Sequence, residues 1–259
     1  MTSDNELFSV NGKVALVSGG TSGIGQMMAE SLVKGGAKVY LVARNPDDCA
    51  RIAAELAGFG ECQPLPGDLS TLAGIKAVAS AFARRESCLN ILLNNAGIHK
   101  VEPIDDFSEE SWDYSVSLNL KAAFFMVQTF LPLLRKGGTS CDPARIVNIG
   151  SGHGLRIPRF ESYAYQASKA GLHHLTRSLA GRLARERITV NAIAPGVFPS
   201  RLTQDFTEAQ VKAISDSVPL GRYGQPDDVA GVIRFLCSRA GAYVSATILP
   251  VDGGWAGAA

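Results

Sequence analysis

The sequence predicts one α/β domain of three layers, in which a doubly wound parallel β-sheet is covered by helices on both faces. Short apolar runs, rich in β-branched residues, alternate along the chain with longer segments of helical period. The strand segments are continuous apolar runs, which is typical of strands buried on both faces. Strand–helix alternation of this kind, joined by right-handed crossovers, indicates a parallel sheet wound in both directions.

The elements follow one another in a regular order. Short apolar runs are predicted to be strands at residues 13–20, 38–44, 62–70, 89–97, 144–151, 188–195 and 246–254. Segments with apolar residues at helical spacing lie at residues 24–36, 46–60, 72–86, 108–137, 163–186, 206–216 and 226–238. No linker, repeat or low-complexity segment interrupts them, so residues 1–259 are predicted to form a single domain.

Composition excludes several classes of protein. The 259 residues are 46% hydrophobic and 19% charged with a net charge of +1, so we expect no general attraction to nucleic acid or anionic membrane. Five cysteines are scattered without a CxxC pair, which predicts no metal site and favours a reducing compartment. The N-terminus is polar and the apolar runs are of strand length. We therefore expect a cytoplasmic protein without a membrane span.

A glycine-rich loop joins the first strand to the first helix. The segment VSGGTSGIG places Gly19, Gly23 and Gly25 there. Glycines allow the backbone to approach a pyrophosphate, and the helix N-terminus offers free N–H groups and a positive dipole. The spacing G-x-x-x-G-x-G differs from the G-x-G-x-x-G of other dinucleotide-binding loops. An ordinary βα turn is the alternative, but the position between a buried strand and an amphipathic helix favours dinucleotide binding.

The end of the second strand indicates which dinucleotide is bound. Ala43 occupies the position where an acid would select NAD, and Arg44 follows it. A guanidinium without a neighbouring carboxylate suits the 2′-phosphate of NADP(H). The alternative for Arg44 is a solvated surface residue. Asp68, at the end of the third strand, either accepts a hydrogen bond from the adenine amino group or caps the helix that begins near Leu72.

A tyrosine and a lysine share one face of a predicted helix. Tyr165 and Lys169 are at i and i+4, whereas Tyr163 has Ala167 at that spacing. An ammonium beside a phenol favours the phenolate, so Lys169 is expected to lower the pKa of Tyr165. Such a tyrosine can exchange a proton with a carbonyl or alcohol oxygen. The alternative is an accidental match or a stabilising surface pair.

Two further polar residues belong to the same hypothesis. Ser151 follows the fifth strand at its carboxyl end, where ligands bind in open α/β sheets, although a plain turn serine is the alternative. Asn119 lies inside an apolar helical segment, where Asn is unfavourable and a buried amide needs partners. A structural or relay role is therefore expected for Asn119.

These motifs together resemble the short-chain dehydrogenase/reductases, in their single-domain oxidoreductase branch. The matching pieces span residues 13–254 in the family's order: SGGTSGIG, GDLS, NNAG, Asn119, Ser151, YQASK, NAIAPG and VDGG. The resemblance implies a Rossmann fold with a seven-stranded parallel sheet, usually in a homotetramer. The chain is most similar in look to bacterial NADPH-dependent 3-oxoacyl (β-ketoacyl) reductases. The long helices at residues 108–137 and 163–186 would then form one interface.

The resemblance also implies a role for each matching residue. Tyr165 would be the general acid/base, Lys169 would lower its pKa and hold the nicotinamide ribose, and Ser151 would orient the substrate oxygen. Asn119 would hold a water that links Lys169 to solvent. The residues that would line the cofactor are Gly19, Thr21, Ile24, Asp68, Leu69, Asn95 and Gly97, with Pro195, Gly196, Phe198 and Ser200 at the nicotinamide end. The predicted cofactor-binding set also includes Ser22, Gly23 and Gly25 of the glycine loop, Arg44, Ala96 of the NNAG segment, Tyr165 and Lys169.

Three positions depart from the family pattern. Ser18 and Ser200 stand where Thr is usual, and Ser151 and Tyr165 are one residue further apart than in most members. The extra residue is assigned to the loop HGLRIPRFES, which with residues 98–101 and a lid at about 198–218 would form the substrate pocket. His99 and His153 lie near the predicted mouth of this pocket and are interpreted as bystanders rather than catalytic bases.

The sequence therefore predicts an NADPH-dependent carbonyl reductase that also oxidises secondary alcohols, with a small-molecule ketone or alcohol, possibly a 3-oxoacyl thioester, as substrate. A cofactor-binding regulator or scaffold without turnover is the alternative. It would explain the glycine loop but not the set of Asn119, Ser151, Tyr165 and Lys169. A lyase or epimerase on the same fold is a weaker third hypothesis.

Overall fold

The fold is built around one parallel sheet, seen in a computed structural model that describes residues 4–158, 160–199 and 207–258. Its seven strands lie in the order β3-β2-β1-β4-β5-β6-β7, and every neighbouring pair is parallel. The predicted doubly wound α/β class is confirmed. The strands are β1 (Val14–Ser18), β2 (Lys38–Val42), β3 (Cys62–Pro64), β4 (Ile91–Asn94), β5 (Ala144–Ile149), β6 (Ile188–Pro195) and β7 (Ile248–Val251).

Helices cover both faces of the sheet. They are α1 (Asp4–Leu7), α2 (Gly23–Lys34), α3 (Pro46–Ala57), α4 (Leu72–Ala83), α5 (Glu109–Val116), α6 (Ala122–Gly137), α7 (Tyr163–Leu183), α8 (Glu208–Asp216) and α9 (Pro226–Cys237). Residues of α2, α3 and α9 pack into one buried cluster, and residues of α4, α6 and α7 pack into a second. Val17 belongs to the first cluster and its neighbour Leu16 to the second, because successive strand residues face opposite sides of a sheet.

The strand order reverses direction at β1, which pairs with β2 on one side and with β4 on the other. In open α/β sheets this reversal leaves a crevice outside the carboxyl ends of the two strands. The loop after β1 and the loop after β4 meet there. The fold therefore places the glycine loop and the NNAG segment at one edge of the sheet.

Two elements differ from the sequence-based boundaries. The third strand was predicted to extend over residues 62–70, but β3 ends at Pro64. The regular pairing of β3 ends at Pro64, although the N–H groups of Leu65 and Gly67 still donate to the carbonyl oxygens of Leu41 and Ala43. Pro64 and Pro66 alternate with these donors, so their missing N–H groups fall on the open edge of the sheet, where proline is tolerated. The helix predicted over residues 108–137 is interrupted by a π-helical turn at Ser117–Lys121.

The stretch Glu109–Gly137 is also long and apolar enough to cross a membrane by length and composition alone. Polar residues interrupt its apolar ones, so the sequence shows no continuous apolar run of membrane-spanning length there. A buried core helix passes the same test. Five of the buried apolar residues of α6, namely Ala122, Met126, Val127, Phe130 and Leu134, belong to the second core cluster.

Candidate active site

The glycine loop has the shape of an anion cradle at the start of α2. Gly19 and Gly23 adopt positive φ angles of 63° and 53°, which side chains rarely tolerate. A Cβ atom on Gly25 would lie 2.1 Å from the carbonyl oxygen of Gly19, so only glycine allows this close approach. Ser22 precedes the helix, and its side chain makes no capping hydrogen bond within the described residues. The first N–H groups of α2 are thus left for a phosphate, and the loop fits the pyrophosphate of a dinucleotide.

Ser18 and Asn95 connect this loop to the segment after β4. The Ser18 hydroxyl accepts hydrogen bonds from the backbone N–H groups of Asn95 and Ala96, at 2.9 and 3.0 Å. The Asn95 amide donates to the carbonyl oxygens of Ser18 and Gly19, at 3.0 and 2.9 Å. Asn95 and Ala96 therefore hold the two halves of the crevice together. The hydroxyl that Ser18 retains in place of Thr explains why this substitution preserves the loop.

The residues predicted to bind the adenosine end lie on neighbouring loops. Arg44 is exposed after β2, and its guanidinium stacks over the ring of Tyr114 at 5.9 Å from the ring centroid. The Tyr114 hydroxyl is buried and has no hydrogen-bond partner within the described part of the chain. Tyr114 was not identified from the sequence, since it lies on α5, about 70 positions after Arg44. The pair leaves an open cationic group suited to a phosphate.

Asp68 does not cap α4. Its carboxylate accepts a hydrogen bond from the Ser70 N–H at 2.9 Å, and Thr71 is the N-cap of α4, accepting from the Gly74 N–H. The capping alternative for Asp68 is therefore wrong. Asp68 is exposed, whereas Leu69 is buried beneath it in the second core cluster. The exposed carboxylate remains able to accept a hydrogen bond from an adenine amino group.

Tyr165 and Lys169 lie on the first turns of α7, as predicted. The Lys169 ammonium lies 5.6 Å from the centroid of the Tyr165 ring and donates to the carbonyl oxygen of Ile149 at 2.6 Å. Burial lowers the pKa of Lys169 to about 8. Burial raises the pKa of Tyr165 above its usual value, and a hydrogen bond with Ser151 opposes this rise.

The expected lowering of the Tyr165 pKa by Lys169 is thus not seen in the protein alone. The physical reason is that desolvation of the phenolate outweighs the hydrogen bond with Ser151, while the Lys169 ammonium donates to a backbone carbonyl. The pair still brings a buried hydroxyl and a buried cation to one face of α7. A positively charged group bound beside Tyr165 would stabilise the phenolate and so lower the pKa of Tyr165.

Ser151 lies two residues after the end of β5, and its hydroxyl accepts a hydrogen bond from the His153 N–H at 3.1 Å. His173 was not recognised from the sequence, yet it supports this turn from beneath. Its Nε2 atom lies 3.4 Å from the Ser151 backbone nitrogen, and burial lowers its pKa to about 4. Its position four residues after Lys169, on the same helix face, is the signal that could have identified it.

Asn119 lies in the π-helical turn, where its buried side chain makes three hydrogen bonds. Its Oδ1 atom accepts from the Ile98 N–H at 2.8 Å, and its Nδ2 atom donates to the Ile98 carbonyl oxygen and to Ser168 Oγ. A Cβ atom on Gly97 would lie 3.0 Å from Asn119 Oδ1 and 3.6 Å from Lys169 Nζ. The structure therefore brings Asn119, Gly97 and Lys169 together. π-Helical turns are frequent at functional sites.

Tyr163 faces away from this group. Its hydroxyl donates to the Glu161 carboxylate at 2.7 Å, and its ring packs against Phe107 with centroids 5.9 Å apart. The prediction that Tyr165 rather than Tyr163 lies beside Lys169 agrees with this geometry.

The segment after β6 provides the remaining predicted contacts. Gly196 donates from its N–H to the Val251 carbonyl oxygen, and a Cβ atom there would lie 2.8 Å from Asp252 Cα, so Pro195 and Gly196 follow the end of β7 closely. The Phe198 side chain is buried in the first core cluster, which leaves its backbone for a cofactor contact. Phe198 and Val218 also line a cavity of about 470 Å³. Ser200 and the lid residues Arg201 and Phe206 lie outside the described residues.

Two imidazoles contact the ring of Tyr165, and two further aromatic rings pack against these imidazoles. The His99 and His153 ring centroids lie 4.4 and 5.8 Å from that of Tyr165. Phe160 contacts both imidazoles, and Trp255 contacts His153 with centroids 5.4 Å apart. We call His99, His153, Phe160 and Trp255 the aromatic cluster. Within the described ranges, no three His, Cys, Asp or Glu side chains are grouped to hold a metal ion.

The chain is similar to a family model and to several known enzymes. A family model described as "Enoyl-(Acyl carrier protein) reductase" matches residues 19–256. The rhamnolipids biosynthesis 3-oxoacyl-[acyl-carrier-protein] reductase of Pseudomonas aeruginosa is 42% identical, over 96% of this chain and 98% of the relative. A 2-dehydro-3-deoxy-D-gluconate 5-dehydrogenase of Dickeya dadantii is 36% identical, over 96% of this chain and 97% of the relative.

Solved structures agree with these relatives. The Pseudomonas aeruginosa RhlG/NADP active-site complex superposes with a TM-score of 0.95 and 41% identity, and the match covers 97% of this chain and 99% of that one. A gluconate 5-dehydrogenase of Burkholderia cenocepacia in complex with NADP and tartrate gives a TM-score of 0.89 at 30% identity, over 98% of each chain. The chain therefore belongs to the short-chain dehydrogenase/reductase family of oxidoreductases.

Proposed function

We propose that this protein is an NADPH-dependent ketoreductase whose substrate is a 3-oxoacyl thioester, reduced at its ketone to a secondary alcohol. The observation that carries the proposal is the joining of Ser151, Tyr165 and Lys169 beside the glycine loop, at the carboxyl ends of β1, β4 and β5. A relative that is 42% identical over nearly its whole length is named as a 3-oxoacyl reductase, and a similar structure holds NADP. A regulator without turnover would not need these three side chains together.

The residues present fit NADP(H) at several points. The cradle at Gly19, Gly23 and Gly25 accommodates a pyrophosphate, Arg44 suits the 2′-phosphate, and Asp68 is free to face the adenine. Lys169 would hold the nicotinamide ribose. When bound, the reduced cofactor supplies a hydride. Thr21 lies in the loop before α2 and Ile24 in the first turn of that helix. The role of Ser200 remains a prediction.

The chain's own residues then position the ketone and supply the proton. Ser151 and Tyr165 donate hydrogen bonds to the ketone oxygen, which polarises the carbonyl toward an alkoxide. Tyr165 transfers its proton to that oxygen as the negative charge develops. Lys169 lowers the energy of the resulting phenolate, since a buried cation nearby favours the charged form. In this proposal Asn119 holds the Ile98 main chain in place. A water bound beside this main chain then passes a proton to Lys169.

The experiment is a turnover screen with the purified full-length chain, which follows NADPH oxidation at fixed enzyme concentration. The panel contains a 3-oxoacyl thioester, a keto sugar acid, an aryl ketone and an enoyl thioester. We expect the 3-oxoacyl thioester to give the highest kcat/KM and the enoyl thioester to give none, since Tyr165 and Ser151 are arranged around an oxygen. Preference for the sugar acid would overturn the assignment of a 3-oxoacyl thioester as substrate. No turnover of any ketone would overturn the proposed function.

We also propose that the protein is a cytoplasmic homotetramer, in which α5 to α7 form one interface. The exposed apolar side chains of Trp112 and Phe124, on α5 and α6, support this assembly because solvent-exposed aromatic surface favours association. Analytical ultracentrifugation measures the assembly directly.

A further inference from the structure

The aromatic cluster contains polar ring nitrogens as well as apolar surface. Among its four rings, two are imidazoles that come from separate loops: His99 follows β4, and His153 follows Ser151 in a 3₁₀ turn. The two imidazole centroids are 5.9 Å apart, and both face the ring of Tyr165. The proposed reaction needs neither as a proton donor, because Tyr165 and Lys169 perform that task. Their presence at the mouth of the site therefore requires another explanation.

Each imidazole has a buried nitrogen without a partner. His99 Nε2 and His153 Nδ1 are enclosed by their neighbours and form no hydrogen bond within the described part of the chain. Buried polar atoms in proteins are nearly always paired, and an unpaired one destabilises the structure. A polar atom of a bound substrate would relieve this penalty at both positions. The two nitrogens thus mark a polar subsite beside the reacting oxygen.

The subsite suits an uncharged group. Burial lowers the pKa of His99 and brings that of His153 to about 4, so both rings are neutral near pH 7. Two cations near the cluster are held by backbone carbonyl groups. Lys169 donates to the Ile149 carbonyl oxygen at 2.6 Å, and Arg156 donates to the Trp255 carbonyl oxygen at 2.6 Å while stacking on its ring. Two neutral imidazoles supply hydrogen bonds but no charge, so they offer a carboxylate no ion pair.

We infer that His99 and His153 are specificity-determining residues that bind the second, uncharged carbonyl group of a β-dicarbonyl substrate. This inference rests on the proposed ketoreductase function. In a 3-oxoacyl ester or thioester, the second carbonyl lies two carbons from the ketone, so groups that touch Tyr165 are within its reach. A neutral imidazole donates one hydrogen bond to such an oxygen. The free 3-oxo acid, whose second group is a carboxylate, would be disfavoured.

The experiment compares three small substrates with the full-length enzyme and NADPH: ethyl acetoacetate, acetoacetate and methyl butyl ketone. The last has one carbonyl and measures reduction without the second contact. In His99→Phe and His153→Phe, the ring and its packing remain but the nitrogens are lost. We expect the ratio of kcat/KM for ethyl acetoacetate over methyl butyl ketone to fall about tenfold in each variant, mainly through KM.

The controls separate a specific contact from a packing effect. His174→Phe alters an exposed histidine on α7 and should leave the ratio unchanged, whereas His153→Asn retains a donor and should restore part of it. Thermal unfolding of each variant checks the fold. An unchanged ratio in both Phe variants, or a wild-type preference for acetoacetate over its ester, would overturn the inference alone. If the wild type reduces no ketone, the proposed function fails together with it.

Discussion

At the scale of single residues, the spacing along α7 separates two neighbouring tyrosines. Tyr165 has Lys169 one turn later and a hydrogen bond with Ser151, whereas Tyr163 is held by Glu161. A pattern of i and i+4 was sufficient to choose between them, because helix geometry fixes which side chains share a face. The roles of residues that meet only in the folded chain, such as His99 and Trp255, had no such local signal.

Replacement of the Tyr165 hydroxyl tests the proton donor. For Tyr165→Phe we expect kcat to fall by at least a factor of about 100, since general acid catalysis typically contributes 10²–10⁴-fold. Affinity for NADPH, measured by fluorescence titration, should change little because the ring is retained. The matched variant Tyr163→Phe should keep most of the activity. Near wild-type rates in Tyr165→Phe would contradict its assignment.

Arg44 tests the choice of cofactor. The exposed guanidinium stacks on Tyr114 and faces the region expected to hold the 2′-phosphate, so Arg44→Ala removes charge-assisted hydrogen bonds. We expect kcat/KM for NADPH to fall about 10- to 100-fold and that for NADH to change little. Arg51→Ala is the control, since Arg51 pairs with Glu55 on the surface of α3. An unchanged NADPH/NADH ratio in Arg44→Ala would refute the role.

At the scale of elements, the α5–α6 region shows where sequence patterns stop being informative. The apolar spacing predicted a continuous helix over residues 108–137, but Ser117–Lys121 forms a π-helical turn. Asn119 accounts for the difference, because its side chain binds both backbone groups of Ile98 in the loop after β4. The sequence shows an unfavourable Asn inside an apolar helix. It does not show that the partner of this Asn is Ile98, which lies in another loop.

Asn119→Ala tests whether this turn holds the loop in place. The change leaves the Ile98 N–H and carbonyl oxygen without their partner, so we expect a loss of about 2–4 kcal/mol in the free energy of unfolding. Urea denaturation followed by circular dichroism measures it. Ser168→Ala removes one of the three Asn119 bonds together with the bond from Ser168 Oγ to the Tyr165 carbonyl oxygen, but it keeps both contacts to Ile98 and should cost less. Equal losses in the two variants would show that the contacts to Ile98 carry no extra stability.

At the scale of the whole molecule, the fold class followed from the sequence because the strand, helix and turn patterns all indicated the same fold. Continuous apolar strands, helical spacing between them and glycines after β1 all favour one parallel sheet, and the structure has seven parallel strands. The strand limits were less well predicted at β3, which ends at Pro64 rather than near residue 70. The sequence placed His99 and His153 near the predicted pocket mouth, but the contact of His173 with the Ser151 turn was not predicted.

These gathered histidines should make the whole protein sensitive to mild acid. Burial lowers the pKa values of His153 and His173 to about 4, from an ordinary value near 6.5, and that of His99 is lowered too. The unfolded chain therefore binds protons below about pH 6.5 that the folded chain does not. Stability is fully present above that pH and is lost as the pH falls toward about 4.

His173 offers the sharpest measurement, since only 3% of its surface is exposed. Its contribution to the fall in unfolding free energy between pH 7 and pH 4 should be on the order of 1–3 kcal/mol. His173→Gln should flatten the dependence of the urea midpoint on pH by this amount, whatever its effect on stability at pH 7. His174→Gln, which alters an exposed neighbour on α7, should leave the slope unchanged. An identical slope in wild type and His173→Gln would show that this ring does not remain neutral in the fold, because a group that titrates alike in both states adds no pH dependence.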